Sequence, residues 1–174
     1  HKQKLPVLIT GASGTAKTTS IRMFIDQQQS GGDMIFKQFN FSVVSTPKMF
    51  QSYIESEMDK RGGKSFGPPA AKQMTLFVDD VNMPATNEWG DQPTLEFFRQ
   101  LLETKGFCFL DKDKRGDLKY IEDLQFLAAM QNLGGGKQQI PSRLSRHFFI
   151  LNLLLPSTKS LTDIFGQILH GRFA

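Results

Sequence analysis

Cysteine is almost absent from this sequence, and its scarcity limits the sites and folds that are available. Cys108 is the single cysteine in 174 residues. One thiol can form neither an internal disulfide nor a zinc site, so the fold must be held without covalent staples. The flanking residues Phe107 and Phe109 favour a small buried side chain over a reactive thiol. A chain of this length is one domain by size and can bury a continuous core.

Long hydrophobic runs and dense runs of charge are lacking too. The longest apolar stretch, residues 148–155, is interrupted by Asn152 and falls far short of the roughly 20 residues that a membrane helix needs. No charged and then apolar leader precedes the first strand pattern. Twenty-one basic and seventeen acidic residues give a net charge of +4, with short basic clusters at residues 2–4 and 112–115. We therefore expect neither a membrane nor a nucleic acid as partner, and the missing initiator methionine at His1 predicts a piece of a longer protein.

Short apolar strand patterns alternate with helical patterns along the chain. Strands are predicted over residues 5–10, 36–41, 75–78, 124–130 and 148–155. Apolar residues at helical spacing predict four helices. The helices are expected to start at Lys17, at Pro47, beyond Pro84 and at Ser157. This alternation predicts a three-layer α/β/α fold with a five-stranded parallel sheet.

Two segments between these elements are rich in turn-forming residues. Residues 61–71 hold three glycines and two prolines, and we predict a loop there. Residues 107–110 and 118–121 flank a polar stretch that contains a glycine, which suggests a surface hairpin.

The strongest motif is a glycine-rich loop between the first predicted strand and the first predicted helix. Its residues are Gly11-Ala12-Ser13-Gly14-Thr15-Ala16-Lys17-Thr18, followed by Thr19. Glycines let successive backbone N–H groups turn toward phosphate oxygens, and the helix N-terminus behind them adds a favourable partial charge. Lys17 is expected to reach the outer phosphates, and the Thr18 hydroxyl to ligate Mg²⁺. The sequence thus predicts a nucleotide-phosphate site at residues 11–19.

Ala16 stands where this motif usually has a glycine. We expect alanine to tolerate a helical backbone at this position, while its methyl group crowds the approach to the phosphates.

An acidic pair follows the strand predicted over residues 75–78. In P-loop enzymes a strand-terminal aspartate holds Mg²⁺, so Asp79 is the candidate ligand. Asp80 stands where an ATPase holds the general base that orients the attacking water. Aspartate is one methylene shorter than the glutamate that is usual there, which predicts slow hydrolysis. The bland alternative is an acid pair that caps a turn or helix.

Polar residues near the last two strands complete the candidate site. Gln131 or Asn132 could hydrogen-bond the attacking water or the γ-phosphate, and both are also common turn formers. Arg143 and Arg146 precede the last strand, where ring-forming AAA+ ATPases carry an arginine that acts on a neighbour's nucleotide. Arginines that only stabilise a helix end would stand in the same place.

Several phrases of the sequence resemble one family, the dynein heavy chains, and within it the third AAA+ module of the axonemal type. The phrases are residues 9–18, Phe66-Gly67-Pro68-Pro69, Phe77-Val78-Asp79-Asp80-Val81-Asn82-Met83-Pro84, Asn87-Glu88-Trp89-Gly90-Asp91-Gln92, Leu127-Ala128-Ala129-Met130 and Ile140-Pro141-Ser142-Arg143-Leu144. The similarity covers essentially the whole chain, and generic P-loop proteins do not share the Asn-Met-Pro or Glu-Trp-Gly-Asp-Gln phrases.

The resemblance implies a nucleotide-binding module of a ciliary microtubule motor. It implies ATP or ADP with Mg²⁺, slow or regulatory hydrolysis, and Arg143 acting in trans on a neighbouring module. The implied partners are adjacent modules of the same heavy chain, the dynein linker, other dynein chains and, through a stalk, microtubules of the axoneme. The hairpin at residues 107–121 is expected to contact the linker. Residues 1–156 are expected to be the large subdomain and residues 157–174 the first helix of the small one.

The resemblance also marks two departures and leaves alternatives open. The sensor position is divided between Gln131 and Asn132, and Lys137 stands where many relatives have arginine. Ala16 and the acidic pair are implied to be tolerated in axonemal third modules. The alternatives are an AAA+ module of another ring-forming remodelling protein and a module that holds nucleotide without turnover.

Overall fold

The computed structural model describes residues 5–29, 34–109, 116–134 and 136–173. The elements in chain order are β1 Val7–Gly11, α1 Lys17–Gln29, β2 Met34–Asn40, α2 Pro47–Ser56, β3 Asp59–Gly62, β4 Ser65–Gly67, a 3-10 turn Pro69–Ala71, β5 Gln73–Asp79, α3 Pro93–Thr104, β6 Gly106–Cys108, β7 Leu118–Ile121, β8 Leu124–Gln131, α4 Ser142–Ser145, β9 Phe149–Leu153 and α5 Thr158–Phe173.

Five of these strands form the main sheet, in the order β2-β5-β8-β1-β9. All of its neighbouring pairs run parallel. The carboxyl ends of all five strands therefore meet at one edge of the sheet, where ligands bind in open α/β folds. The predicted α/β fold with a five-stranded parallel sheet is confirmed.

Strand β5 shows why both faces of this sheet need covering. Five consecutive residues from Met74 to Val78 are buried, and successive strand residues point to opposite faces. Leu76 and Val78 pack with α2 and α3 in the larger apolar cluster. Phe77 packs on the other face against Ile21 and Ile25 of α1. Three layers follow from this two-sided burial.

The two helices on the larger face begin at prolines. Pro47 is the first residue of α2, and the Thr46 hydroxyl before it accepts a hydrogen bond from the Met49 N–H at 3.2 Å. A capping hydroxyl followed by proline favours a helix start, and the predicted start at Pro47 is confirmed. Helix α3 buries Leu95, Phe98 and Leu101, as their helical spacing predicts.

A second, four-stranded sheet has the order β3-β4-β7-β6. Strands β6 and β7 pair antiparallel, so the two flanks of the predicted hairpin are confirmed, while residues 110–115 of its tip lie outside the described residues. The prediction of a loop over residues 61–71 is wrong in part, because β3 and β4 form an antiparallel hairpin there. Strand β3 is exposed along its whole length, so it has no apolar alternation by which the sequence could reveal it.

Helix α5 carries the expected apolar side chains, and they are exposed. Leu161, Ile164, Phe165, Ile168 and Leu169 all belong to this exposed set.

Within the described residues no helix is long and apolar enough to cross a membrane. The basic clusters at residues 2–4 and 112–115 fall outside the described part of the chain.

Candidate nucleotide site

The glycine-rich loop leaves β1 at the carboxyl edge of the sheet and leads directly into α1. Gly14 has a left-handed backbone, with φ +80°, and no heavy atom lies within 4 Å of the position that a Cβ would take. An open space bounded by backbone is what a phosphate cradle requires. At Gly11 space is lacking instead. A Cβ there would lie 2.5 Å from the Leu153 carbonyl oxygen of β9, so a glycine is needed.

Ala16 adopts a left-handed conformation, with φ +59°. The expectation of a helical backbone at this residue is wrong. Its carbonyl accepts a hydrogen bond from the Ser20 N–H at 2.8 Å, so Ala16 stands immediately before the helix and turns the chain into it. A left-handed conformation costs a residue with a Cβ roughly 1–2 kcal/mol, and this is the physical reason for the glycine usual there.

The Lys17 side chain folds back onto the loop. Its Nζ donates to the carbonyl oxygens of Gly11 at 2.9 Å and Ala12 at 2.7 Å. It also lies 3.4 Å from the Thr15 hydroxyl, which itself donates to the Ala12 carbonyl at 2.9 Å. Lys17 is only 8% exposed. The ammonium is therefore already placed inside the loop, and the loop's own acceptors satisfy it.

Thr18 and Asp79 join the loop to the acidic strand β5. The Thr18 hydroxyl donates to Asp79 Oδ2 at 3.0 Å, across 61 residues of sequence. Neighbouring oxygen ligands of an octahedral Mg²⁺, each about 2.1 Å from the metal, lie about 3.0 Å apart. The two side chains thus fit a shared Mg²⁺ ion, with the remaining ligands supplied by phosphate and water. Among the described residues no group of three or more His, Cys, Asp or Glu side chains could hold a metal.

Asp80 is turned out of the strand by a left-handed backbone, with φ +54°. Its N–H donates to Asp79 Oδ1 at 3.0 Å, which helps to orient the Asp79 carboxylate. Its own Oδ1 lies 3.3 Å from the Lys137 Nζ. Sequence reasoning had placed Lys137 in the adjacent loop without giving it a role, because a contact over 57 residues leaves no local signal.

Asn82 fixes the end of β8 beside the acidic pair. Its Nδ2 donates to the Gln131 carbonyl at 2.9 Å, and its own carbonyl accepts the Gln138 N–H at 2.9 Å. Asn82 is buried, and its Oδ1 is the one buried side-chain polar atom of the described residues without a partner. Gln131 is the last residue of β8 and lies in register with Gly11 of β1. Asn132 is exposed just beyond the strand, so both sensor candidates remain predictions.

Arg143 lies in α4 and points toward helix α3 instead of the loop. Its Nη2 is 3.5 Å from Glu96 Oε1, and its side chain is 66% exposed. Arg146 contacts Glu103 in the same manner at 3.5 Å. The side-chain contacts of Arg143 do not involve residues 11–19, which agrees with a role in trans but does not test it.

The pKa values of two groups near Arg99, Arg143 and Arg146 are shifted. A hydrogen bond from Arg99 holds the pKa of Glu96 below its usual range, assisted by the charges of Arg99 and Arg143. Partial burial lowers the pKa of His147, and the charges of Arg146 and Arg99 lower it further. The cluster thus favours an ionised carboxylate beside a neutral imidazole.

The phosphate cradle, the Thr18–Asp79 link and the strand order together define a P-loop nucleotide-binding α/β domain. A family model described as the P-loop containing dynein motor region matches residues 1–156, and the chain belongs to this family. This assignment leaves no support for the alternative of an unrelated ring-forming remodelling ATPase.

Three relatives illustrate the similarity. Dynein axonemal heavy chain 5 of Mus musculus is 50% identical over 172 residues, which are 99% of this chain and 4% of the relative. The dynein gamma chain of the flagellar outer arm of Chlamydomonas reinhardtii is 47% identical over 96% of this chain and 4% of its own length. Dynein axonemal heavy chain 8 of Homo sapiens is 46% identical over 99% of this chain and 4% of its own length. The chain thus spans about 4% of the length of these relatives.

Proposed function

We propose that this chain is the large subdomain of the third AAA+ module of an axonemal dynein heavy chain. In this role it binds Mg-ATP or Mg-ADP, hydrolyses ATP slowly, and regulates a microtubule motor of the ciliary or flagellar axoneme. The observation that carries the proposal is the 3.0 Å contact between Thr18 Oγ1 and Asp79 Oδ2. The contact supports a single Mg²⁺ ion held by the hydroxyl of the loop and the carboxylate of the strand.

Residues 11–19 supply the phosphate contacts in this proposal. Lys17 exchanges its contacts with two loop carbonyls for contacts with phosphate oxygens, and Thr18 with Asp79 holds the metal. Bound Mg²⁺ supplies positive charge that screens the phosphates. The open space at Gly14 leaves room for a phosphate, and the buried Lys17 already lies against the loop that would hold it.

Asp80 orients the attacking water, with Gln131 or Asn132 contacting the water or the γ-phosphate. The short reach of aspartate supports slow turnover. Arg143 acts on the nucleotide of a neighbouring module, which its exposed side chain allows. A module that holds nucleotide without turnover is the second candidate, and the same short reach favours it.

The remaining proposals concern the larger assembly. Residues 1–156 form the large subdomain, and residues 157–174 open the small helical one, in keeping with the exposed apolar side chains of α5. The proposed partners are adjacent modules of the same heavy chain, the linker, other dynein chains and, through the stalk, microtubules. The β6–β7 hairpin is the proposed linker contact. We propose no nucleic acid or membrane partner.

Nucleotide occupancy and turnover in a complete heavy chain test the proposal. The P-loop lysines of the other modules are replaced by alanine, so that the signal comes from this site. Lys17→Ala should abolish nucleotide binding at the site, whereas Lys48→Ala, which removes an exposed lysine of α2, should leave it unchanged. Occupancy that survives Lys17→Ala would refute the site.

Single-turnover hydrolysis separates the two candidate functions. If the site is a slow ATPase, Asp80→Glu should raise the rate, because the added methylene brings the carboxylate closer to the water. A site that only holds nucleotide should show no product with either residue.

A further inference from the structure

Lys137 and Asp80 form an ion pair at the mouth of the candidate site. The Lys137 Nζ lies 3.3 Å from Asp80 Oδ1 and 2.9 Å from the Met83 sulfur. The Lys137 side chain is 13% exposed and that of Asp80 36% exposed. The lysine is thus largely shielded from solvent and the carboxylate is partly open to it, unlike an ordinary surface ion pair, in which two long side chains move freely.

The backbone holds both members of the pair in place. The Lys137 N–H donates to the Gly134 carbonyl at 3.1 Å, and the next N–H, of Gln138, donates to the Asn82 carbonyl at 2.9 Å. On the other side, the Asp80 N–H donates to Asp79 Oδ1 at 3.0 Å. The loop after β8 therefore holds the Lys137 ammonium against Oδ1 of Asp80.

Asp80 needs such a contact more than a glutamate would. Its short side chain reaches the water from few orientations, and a free side chain samples three staggered χ1 wells. An ammonium on Oδ1 selects one orientation and presents the second oxygen, Oδ2, to the water. A catalytic group that is even slightly out of position lowers the reaction rate strongly.

We infer that Lys137 is a positioning residue that orients Asp80 for hydrolysis. The inference rests on the proposed function, in which Asp80 acts on the attacking water. Lys137 itself contacts Asp80 and Met83 and works through the carboxylate.

A double-mutant cycle in the complete heavy chain tests the inference, with the P-loop lysines of the other modules replaced by alanine. Lys137→Met removes the charge at similar length and should lower the single-turnover rate about tenfold, with the Kd for Mg-ATP unchanged within about twofold. Lys137→Arg should restore most of the rate. In an Asp80→Asn background Lys137→Met should have no further effect, because its partner has lost its charge. Lys64→Met serves as the matched control. It removes an exposed ion pair with Asp117, whose distance of 3.0 Å is similar to that between Lys137 and Asp80.

A readout without turnover completes the test. Lys137→Met should speed amide hydrogen exchange in the peptide that covers residues 79–83, and Lys64→Met should not. An unchanged exchange rate there, or a hydrolysis rate that is unchanged or higher in Lys137→Met, would overturn the inference while leaving Asp80 in its proposed role. A hydrolysis rate that Asp80→Asn does not alter would instead remove the proposed role of Asp80 and the inference with it.

Discussion

The Lys119 Nζ lies 2.7 Å from Glu55 Oε1 and so joins the second sheet to helix α2. Three aromatic rings surround the ammonium, with centroids at 4.7 Å for Phe66, 4.6 Å for Phe109 and 5.8 Å for Phe107. Lys119 is buried, so its charge is held by one carboxylate and by the negative faces of the rings. The second sheet is attached to the main fold through this contact as well as through apolar packing.

Lys119→Met should destabilise the protein by about 1–3 kcal/mol, because it leaves Glu55 without its closest cation and the rings without a charge to face. Urea unfolding of a purified protein that contains residues 1–174 measures the change. Lys64→Met, at the exposed pair with Asp117, should change the free energy of unfolding by less than about 0.5 kcal/mol. Equal effects of the two variants would contradict the role given to the ring cluster.

Gly11→Ala should be more damaging than Gly14→Ala. A Cβ at Gly11 would meet the Leu153 carbonyl oxygen at 2.5 Å, whereas one at Gly14 would meet no atom within 4 Å. The first substitution pushes β1 from β9 and should cost more than about 2 kcal/mol, while the second adds backbone strain alone, about 1–2 kcal/mol. Thermal unfolding of the two variants measures the difference. A Gly14→Ala variant less stable than Gly11→Ala would contradict the close approach of the two strands.

Ala16→Gly should stabilise the nucleotide-free protein. Removing the Cβ relieves a left-handed conformation that costs about 1–2 kcal/mol. The greater freedom of glycine in the unfolded chain returns about 0.4–1 kcal/mol, so the net gain should be about 0.5–1 kcal/mol. The urea midpoint measures it, with Ala12→Gly as the control in the same loop. A loss of stability in Ala16→Gly would show that the backbone there is not left-handed.

The free energy of unfolding should decrease as the pH is lowered through the range in which His147 titrates. Burial lowers the folded-state pKa of His147 below its ordinary value of about 6.5, so the unfolded chain binds the proton more readily. The free energy of unfolding therefore falls as the pH drops below about 6.5, and levels off below the folded-state pKa. The lowered pKa of Glu96 adds a further loss of stability at more acidic pH. Urea midpoints between pH 7.5 and 5.5 should decline less steeply in His147→Gln than in the unaltered protein, and an equal decline in both would contradict the role given to His147.

The sequence predicted the main sheet because its strands are apolar and evenly separated by helical patterns. It predicted the loop at residues 11–18 because a local run of residue types is sufficient to recognise it. The hairpin β3–β4 escaped prediction because β3 is exposed and is held by strand pairing instead of by an apolar face. Ala16 shows a different limit, since an alanine at a position where glycine is usual hides the left-handed backbone that the glycine would have indicated.

The residues of the candidate site also fall into two groups, those that local sequence motifs predict and those that they do not. Thr18 and Asp79 each belong to a recognisable local motif, and the structure brings them together as those motifs require. Lys137 belongs to no such motif, and its contact with Asp80 depends on how Asn82 ties two loops together. Contacts of this kind arise from tertiary packing and become visible only in the folded chain.

The folded-back Lys17 makes nucleotide binding an exchange reaction. Arriving phosphates do not meet a bare ammonium, because its hydrogen bonds to Gly11 and Ala12 are already made. Part of the binding free energy is therefore spent on replacing one set of partners by another, and the affinity reports only the difference between the two sets. Lys17 is thus a structural member of its own loop as well as its candidate phosphate ligand.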